Sequence, residues 1–136
     1  MKVMVVEGDA INALSLANEL RRAGHAVLGP VSSCAAALQL AKLAEPDLAL
    51  VDIDLEHKGE GVQVAGQLKL EGILSIFLTS VTDEARLHQS DAVGLMAKPF
   101  HPEDIVAVIG VVAEMLLGGS PPPPSVPNAL ELFQRH

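Results

Sequence analysis

Four short apolar runs in this sequence end in residues suited to phosphoryl chemistry. Asp52 and Glu7 each follow such a run, and Thr79 and Lys98 end the other two. In an open parallel α/β sheet, binding sites form in the crevice beyond the carboxyl ends of the strands. A carboxylate nucleophile, a metal-binding acid, a hydroxyl and an amine would be sufficient for metal-assisted phosphoryl transfer onto an aspartate.

The elements that must position these residues follow from the hydrophobic pattern. Short continuous apolar runs alternate with helical patterns, which predicts βα units and a parallel sheet covered by helices on both faces. We expect strands near residues 2–6, 26–29, 47–51, 73–78 and 93–97. We expect helices near residues 10–23, 33–44, 61–70, 83–90 and 102–117. Candidate helix caps are Asp9, Ser32 or Ser33, and Ser80.

Length and composition limit the class of protein. A chain of 136 residues with 49% apolar residues predicts one globular domain with a real core. The net charge of -8 and the lack of a basic stripe argue against nucleic-acid binding. The most apolar stretch, Ile105 to Leu117, is shorter than the roughly 20 residues that span a bilayer. We therefore expect a cytoplasmic protein without a membrane or nucleic-acid partner.

The composition changes after residue 118, so we divide the chain into a domain at 1–118 and a proline-rich linker and tail at 119–136. The prolines at 121–124 predict an extended spacer. Residues 129–135 have the pattern of a short helix, but so short a helix is not stable alone in water. Two interpretations stay open, a disordered tail and a docking peptide for a partner or a neighbouring subunit.

Four stretches, taken in order, resemble the receiver domain of two-component response regulators. They are Val5–Asp9, Pro46–Leu55, Ile76–Ser80 and Ala97–Phe100, and the resemblance covers residues 1 to about 118. It implies the receiver or flavodoxin-like α/β fold, a five-stranded parallel sheet in the order 2-1-3-4-5 with helices on both faces. It also implies a phosphoacceptor signalling domain and not an enzyme, with a histidine kinase or a phosphotransfer protein as its partner.

The resemblance assigns roles to individual residues. It places the phosphoacceptor on Asp52 and the phosphoryl-contacting hydroxyl and amine on Thr79 and Lys98. It implies Mg²⁺ as the cofactor, held by Glu7, by Asp52 and by the backbone carbonyl of Asp54. These ligands are oxygen atoms, which is the donor type that Mg²⁺ prefers.

Two positions depart from the receiver pattern. Gly8 stands where receivers carry the second of two adjacent acids, and Asp9, one residue later, is a further candidate metal ligand. The switch positions fall on Thr79 and Leu95, and receivers usually have an aromatic residue at the second of these. The first departure weakens the predicted metal site, and the second excludes signalling by rotation of an aromatic ring at position 95.

The last predicted helix is apolar on almost every side, with Glu114 as its only charge between Ile105 and Leu117. A surface helix should have a polar face, so we expect its second face to be buried on something. In receivers this helix belongs to the face used for dimerisation and output. We therefore predict a homodimer or partner interface, with the tail folding back over the helix as the alternative. The candidate interface residues are Ile105, Val108, Ile109, Val112, Met115 and Leu116.

Two functions remain in competition. The first is a single-domain response regulator that accepts a phosphoryl group on Asp52. The second is a degenerate receiver that acts as a phosphorylation-independent dimerisation or protein-interaction module, as Gly8, Leu95 and the apolar last helix would suggest. The stretch Asp52–Leu55 also resembles the Asp-x-Asp motif of haloacid-dehalogenase-type phosphatases. We reject that third function because the motif follows the third predicted strand and not the first.

Overall fold

The computed structural model describes residues 1–55, 57, 59–116 and 130–133. Within these residues the strands are β1 Lys2–Val6, β2 Ala26–Val31, β3 Leu48–Asp52, β4 Leu74–Thr79, β5 Gly94–Ala97 and β6 Leu130–Leu132. The helices are α1 Ala10–Arg22, α2 Cys34–Ala44, α3 Glu60–Leu70, α4 Thr82–Leu87 and α5 Pro102–Leu116. The strand order is β2-β1-β3-β4-β5-β6, so the predicted receiver-type α/β sheet is confirmed, with one additional strand.

The first five strands are parallel, and their carboxyl ends meet at one edge of the molecule. Val6 pairs with Val51, Asp52 with Leu78, and Thr79 with Ala97. Every residue of β3 is buried, as expected for a strand covered on both faces. This register brings the polar residues at the four strand ends to neighbouring positions.

Two of the predicted helix caps are confirmed and one is wrong. Asp9 Oδ1 accepts a hydrogen bond from the backbone N–H of Asn12 at 2.9 Å, at the start of α1. Ser33 Oγ accepts one from the backbone N–H of Ala36 at 3.1 Å, at the start of α2. Ser80 does not cap α4, because the N-cap position of that helix is one residue later and has no side-chain hydrogen bond.

The helix α5 packs its apolar residues into the core of the chain itself. Most of its buried side chains belong to one core cluster with residues of β1, β3 and β4, such as Val3, Leu50 and Ile76. The prediction of an intermolecular interface is therefore wrong for Ile105, Val108, Ile109 and Val112, which are at most 1% exposed. Met115 is half-buried and Leu116 is 45% exposed. None of the described helices is both long enough and apolar enough to cross a membrane.

The described part of the tail is a strand, so the helix predicted at 129–135 is wrong for residues 130–132. The strand β6 pairs antiparallel with β5, Leu130 opposite Met96 and Leu132 opposite Gly94. Without β6, the edge of β5 would leave backbone N–H and C=O groups unpaired, and strand pairing satisfies them. A helix as short as the predicted one is not stable on its own. The predicted spacer at 121–124 and the predicted boundary at residue 118 lie outside the described residues.

Candidate functional site

The carboxyl ends of β1, β3 and β5 bring Glu7, Asp52 and Lys98 together. The Lys98 Nζ atom lies 3.2 Å from Asp52 Oδ2 and 3.6 Å from Glu7 Oε2. Both carboxylate residues are 3% exposed, whereas the Lys98 side chain is 23% exposed. The amine thus bridges two buried carboxylates, and a cleft lined by Glu7, Ser80 and Lys98 opens beside them.

The two oxygen atoms of Asp52 have different environments. The backbone N–H of Asp54 donates a hydrogen bond to Asp52 Oδ1 at 2.8 Å. The second oxygen, Oδ2, faces the Lys98 amine. The hydrogen bond from the Asp54 N–H fixes the plane of the carboxylate. The Lys98 amine neutralises negative charge on Oδ2. The carboxylate is therefore oriented as a nucleophile would be.

Glu7 is a buried acid beside a second carboxylate. Burial, followed by the neighbouring Asp52 carboxylate, raises the pKa of Glu7 from 4.5 to about 7, while the Asp9 N–H and Lys98 oppose that rise. The Asp9 backbone N–H donates to Glu7 Oε1 at 3.2 Å, whereas Oε2 is buried and has no hydrogen-bond partner. A second cation would satisfy this oxygen and lower the cost of ionising both acids.

Glu7→Gln is expected to stabilise the folded protein at pH 8. The folded state keeps the Glu7 proton up to a pKa of about 7, whereas the unfolded chain loses it near 4.5. The contribution of Glu7 to wild-type stability should therefore fall as pH rises from about 4.5 to about 7, by about 1–3 kcal/mol. Urea unfolding at pH 4 and at pH 8 measures the difference. The variant should gain stability only at pH 8, and the exposed control Glu71→Gln should change little. A variant destabilised equally at both pH values would contradict this account.

Thr79 and Leu95 lie on the neighbouring strands. Thr79 is fully buried at the end of β4, one residue beyond the register partner of Asp52, and its Oγ1 accepts a hydrogen bond from the Val81 N–H at 2.8 Å. The hydroxyl can still donate its own hydrogen toward the site. Leu95 is 1% exposed and packs in a cluster with Phe77 and Phe133, so it is a core residue of β5.

The available donors fit a magnesium ion held by few protein ligands. Among the described residues no three acidic, histidine or cysteine side chains converge on one point. Gly8 contributes no side chain, and one carboxylate oxygen of Asp9 is used in capping α1. Mg²⁺ often binds through one or two carboxylates and keeps several waters. Glu7, whose buried Oε2 accepts no hydrogen bond, would hold it in that way together with Asp52 and the Asp54 carbonyl.

Sequence reasoning missed Gly61, which lets α3 approach the end of β3. A Cβ atom on Gly61 would lie 2.7 Å from the Cα of Ile53 and closer still to the carbonyl oxygen of Asp52. The only signal in the sequence was a glycine near the start of a predicted helix. Because Gly61 has no side chain, the backbone of Asp52 and Ile53 can lie directly beneath the helix.

Gly61→Ala is expected to destabilise the protein by about 1–3 kcal/mol, because overpacking forces the backbone to move. The matched control is Gly66→Ala in the same helix, where a Cβ would meet only the Asp91 side chain at 3.7 Å. Thermal unfolding of both variants measures the effect. Equal melting temperatures for the two variants would contradict the close approach of Gly61 to the backbone of Asp52 and Ile53.

Comparison with known proteins finds a matching family model and related sequences. The family model for the response regulator receiver domain matches residues 3–110. The transcriptional regulatory protein PdtaR of Mycobacterium tuberculosis is 25% identical over 112 residues, which are 79% of this chain and 54% of that protein. The phyllosphere-induced regulator PhyR of Methylorubrum extorquens is 27% identical over 111 residues, 79% of this chain and 42% of that protein. The chain thus spans about half the length of these curated relatives.

Solved structures share the fold. A two-component response regulator from Clostridium difficile superposes with a TM-score of 0.77 at 19% identity, over 85% of this chain and 98% of that chain. The response regulator PhyR from Brucella abortus gives a TM-score of 0.73 at 23% identity, over 86% of this chain and 50% of that chain. At these identities the likeness establishes the arrangement of strands and helices, and the site chemistry must be argued from the residues themselves.

Proposed function

The chain belongs to the response regulator receiver domain family, and from that premise we propose that Asp52 accepts a phosphoryl group in two-component signalling. The donor would be a phosphohistidine on a histidine kinase or a phosphotransfer protein. The observation that carries the proposal is the Asp52 carboxylate, buried, held by the Asp54 N–H at 2.8 Å and facing the Lys98 amine at 3.2 Å. The proposed location is the cytoplasm.

In the proposed reaction, Asp52 Oδ2 attacks the phosphorus atom of the phosphohistidine. A P–O bond forms to the carboxylate, the P–N bond breaks, and the electron pair leaves with the imidazole, which takes up a proton. Lys98 then pairs with a phosphoryl oxygen in place of the free carboxylate, and the Thr79 hydroxyl donates to another. Bound Mg²⁺ would neutralise the negative charge that opposes the approach of two anions. The product is an acyl phosphate on Asp52.

The contacts of Lys98 support a role for this amine in both the unmodified and the phosphorylated protein. It already lies near two carboxylates in the unmodified protein, at 3.2 and 3.6 Å, so its charge is held where the phosphoryl oxygens would be. A preorganised charge needs little rearrangement during transfer, which is how electrostatic stabilisation lowers a barrier. The residue would therefore act on the transferred group and not only as an ion-pair partner.

A second candidate function is a module that works without phosphorylation. Gly8 supplies no metal carboxylate, the Lys98 amine compensates the charge of Asp52, and the pKa of Glu7, raised to about 7, lets that acid keep its proton near neutral pH. A site satisfied in this way could be stable with no metal and no phosphate. The chain would then act through protein contacts alone.

The direct test of the proposed function is phosphorylation by a small donor. The protein is incubated with phosphoramidate and Mg²⁺, and intact-mass spectrometry counts the phosphoryl groups that are added. We expect one group, sensitive to hydroxylamine as an acyl phosphate is, and located on the peptide that contains Asp52. No added mass would favour the phosphorylation-independent module. Continuous release of phosphate from simple esters would instead indicate a phosphatase.

A further inference from the structure

The short helix α4 is held by groups outside it, on the side of the candidate site and on the side of the C-terminal segment Leu130–Phe133, which we call the tail segment. Of the six described residues of α4 only Ala85 is buried, and the N-cap position has no side-chain hydrogen bond. Just before the helix, the Val81 N–H donates to Thr79 Oγ1 at 2.8 Å. A helix of six residues is not stable on its own, so its position depends on these neighbours.

The tail segment holds α4 through a two-pronged ion pair. Arg86 Nε donates to Glu131 Oε2 at 2.9 Å, and Arg86 Nη2 donates to Glu131 Oε1 at 2.7 Å. Paired bonds of this kind fix the direction from which the two groups approach each other. The two side chains are 46% and 39% exposed, and exposed ion pairs contribute little to stability. A small displacement of α4 is therefore enough to break the pair.

Phe133 links the tail segment to α4, to the sheet and to the neighbourhood of the phosphoacceptor. Its side chain is 8% exposed and belongs to one core cluster with Ala85 of α4 and Leu95 of β5. The same cluster contains Ile53, the residue that follows Asp52. A change in the position of α4 therefore alters the packing around the Phe133 ring.

The backbone pairing of the tail segment is short. Leu130–Leu132 pairs with β5 from Gly94 to Met96, and the Phe133 N–H donates to the Val93 carbonyl at 2.9 Å. A strand of three residues has little stability of its own. Docking of the tail segment therefore depends on its side-chain contacts, including those with α4.

We propose that the tail segment is an autoinhibitory strand, which phosphorylation of Asp52 releases by displacing α4. The inference rests on the proposed function, in which the Thr79 hydroxyl donates to a phosphoryl oxygen on Asp52. In the sheet, β3 with Asp52 lies on one side of β4, and β5 and β6 lie on the other. Movement of the Thr79 hydroxyl toward the phosphoryl group draws the Val81 N–H, and with it the start of α4, away from the tail segment.

Thermodynamic linkage makes this effect reciprocal. If phosphorylation weakens docking of the tail segment by some factor, undocking must strengthen binding of a phosphoryl analogue by the same factor. Coupling between two sites of one protein typically changes affinity by about 5–150-fold. The docked segment thus disfavours the phosphorylated arrangement, and it covers the edge of β5 until Asp52 is modified.

The first test follows the Phe133 amide in the full-length chain, because its hydrogen bond to the Val93 carbonyl reports docking directly. Amide hydrogen exchange is measured by NMR with and without Mg²⁺ and beryllofluoride, which mimics a phosphoryl group on a carboxylate. Fluorine resonances show independently whether the adduct has formed. We expect the Phe133 amide to exchange at least about fivefold faster in the adduct. The amides of β2, at the opposite edge of the sheet, should not change.

The control for this test is Asp52→Asn, in which beryllofluoride should leave the exchange of the Phe133 amide unchanged. An adduct on wild type with unchanged or slower exchange of that amide would overturn the release and leave the proposed function standing. Absence of the adduct on wild type would overturn the proposed function, and the release with it.

The reciprocal test displaces the tail segment and measures the site. A Cβ on Gly94 would lie 2.6 Å from the Glu131 carbonyl oxygen, and its three nearest atoms would all belong to Glu131 and Leu132. Gly94→Ala should therefore displace the tail segment first. We expect its adduct to form at a beryllofluoride concentration at least about fivefold lower than that for wild type. The control Gly110→Ala, where an added Cβ meets nothing within 4 Å, should behave as wild type does.

Glu131→Arg reaches the undocked state by a different route, because it places two like charges together at Arg86. It should speed exchange of the Phe133 amide and favour the adduct in the same direction as Gly94→Ala. The matched control is Glu71→Arg, which makes the same change of charge at an exposed residue after α3. Undocked variants that bind beryllofluoride no more tightly than wild type would overturn the coupling.

Discussion

Asp52→Asn is expected to abolish phosphoryl labelling from phosphoramidate. The amide keeps the size of the carboxylate and can still accept the hydrogen bond from the Asp54 N–H, which is 2.8 Å from Oδ1 in the wild type. It lacks the anionic oxygen that faces Lys98, so the proposed nucleophile is removed. Labelling is measured by intact mass at equal protein and donor concentrations. We expect the rate of labelling to fall at least about 1,000-fold, since removing the nucleophile of an enzyme lowers its rate by this much or more.

The matched control is Asp54→Asn. Asp54 is exposed, and its contribution to the site is its backbone N–H and carbonyl, which the substitution leaves in place. This variant changes the net charge by the same amount as Asp52→Asn and should keep most of the labelling. Label that persists in Asp52→Asn at the wild-type level would place the phosphoacceptor on another residue.

Gly8→Asp is expected to raise the affinity for Mg²⁺ by at least about tenfold, which equals about 1.4 kcal/mol. Affinity for hard cations rises with the number of carboxylate ligands, and Gly8 is adjacent to Glu7 at the end of β1. An added Cβ would meet only Leu55 Cδ2 at 3.9 Å, so the space for the side chain is open. Titration with Mg²⁺, followed by amide chemical shifts around Asp52, measures the dissociation constant.

The control for this variant is Gly110→Asp, which adds the same charge on α5 where a Cβ has open space. It separates a local ligand from a general electrostatic attraction of the cation. An unchanged Mg²⁺ affinity in Gly8→Asp would show that Glu7 and Asp52 already supply all the carboxylate that the ion uses. An equal rise in Mg²⁺ affinity in both variants would show that an acid at position 8 does not act as a metal ligand.

The site was predictable from sequence because parallel topology alone aligns the strand ends. Each of Glu7, Asp52 and Lys98 follows a short apolar run, and runs of that kind are buried strands when helical patterns separate them. Once the order of strands is known, adjacency of these residues follows. The orientation of Asp52 did not follow, because it depends on a bond from the backbone of Asp54.

The tail strand and the burial of the last helix within the chain are not predictable from the sequence, for a common reason. The strand β6 has three residues, and its pairing depends on Gly94 and Arg86, which lie far away in sequence. The apolar character of α5 suggested a partner, but the sheet and the tail residue Leu130 cover much of that helix within the chain. Periodicity indicates how many faces of a helix are buried, and it does not identify what buries them.

The measurement that tests the central claim most directly is formation of the beryllofluoride adduct, which stands in for the aspartyl phosphate. Fluorine resonances of the bound adduct are recorded for wild type and Asp52→Asn while Mg²⁺ is titrated to millimolar concentration. The account predicts an adduct on wild type that requires Mg²⁺, and none on the variant. No adduct on wild type at millimolar Mg²⁺ would contradict it, and would leave the phosphorylation-independent module as the function.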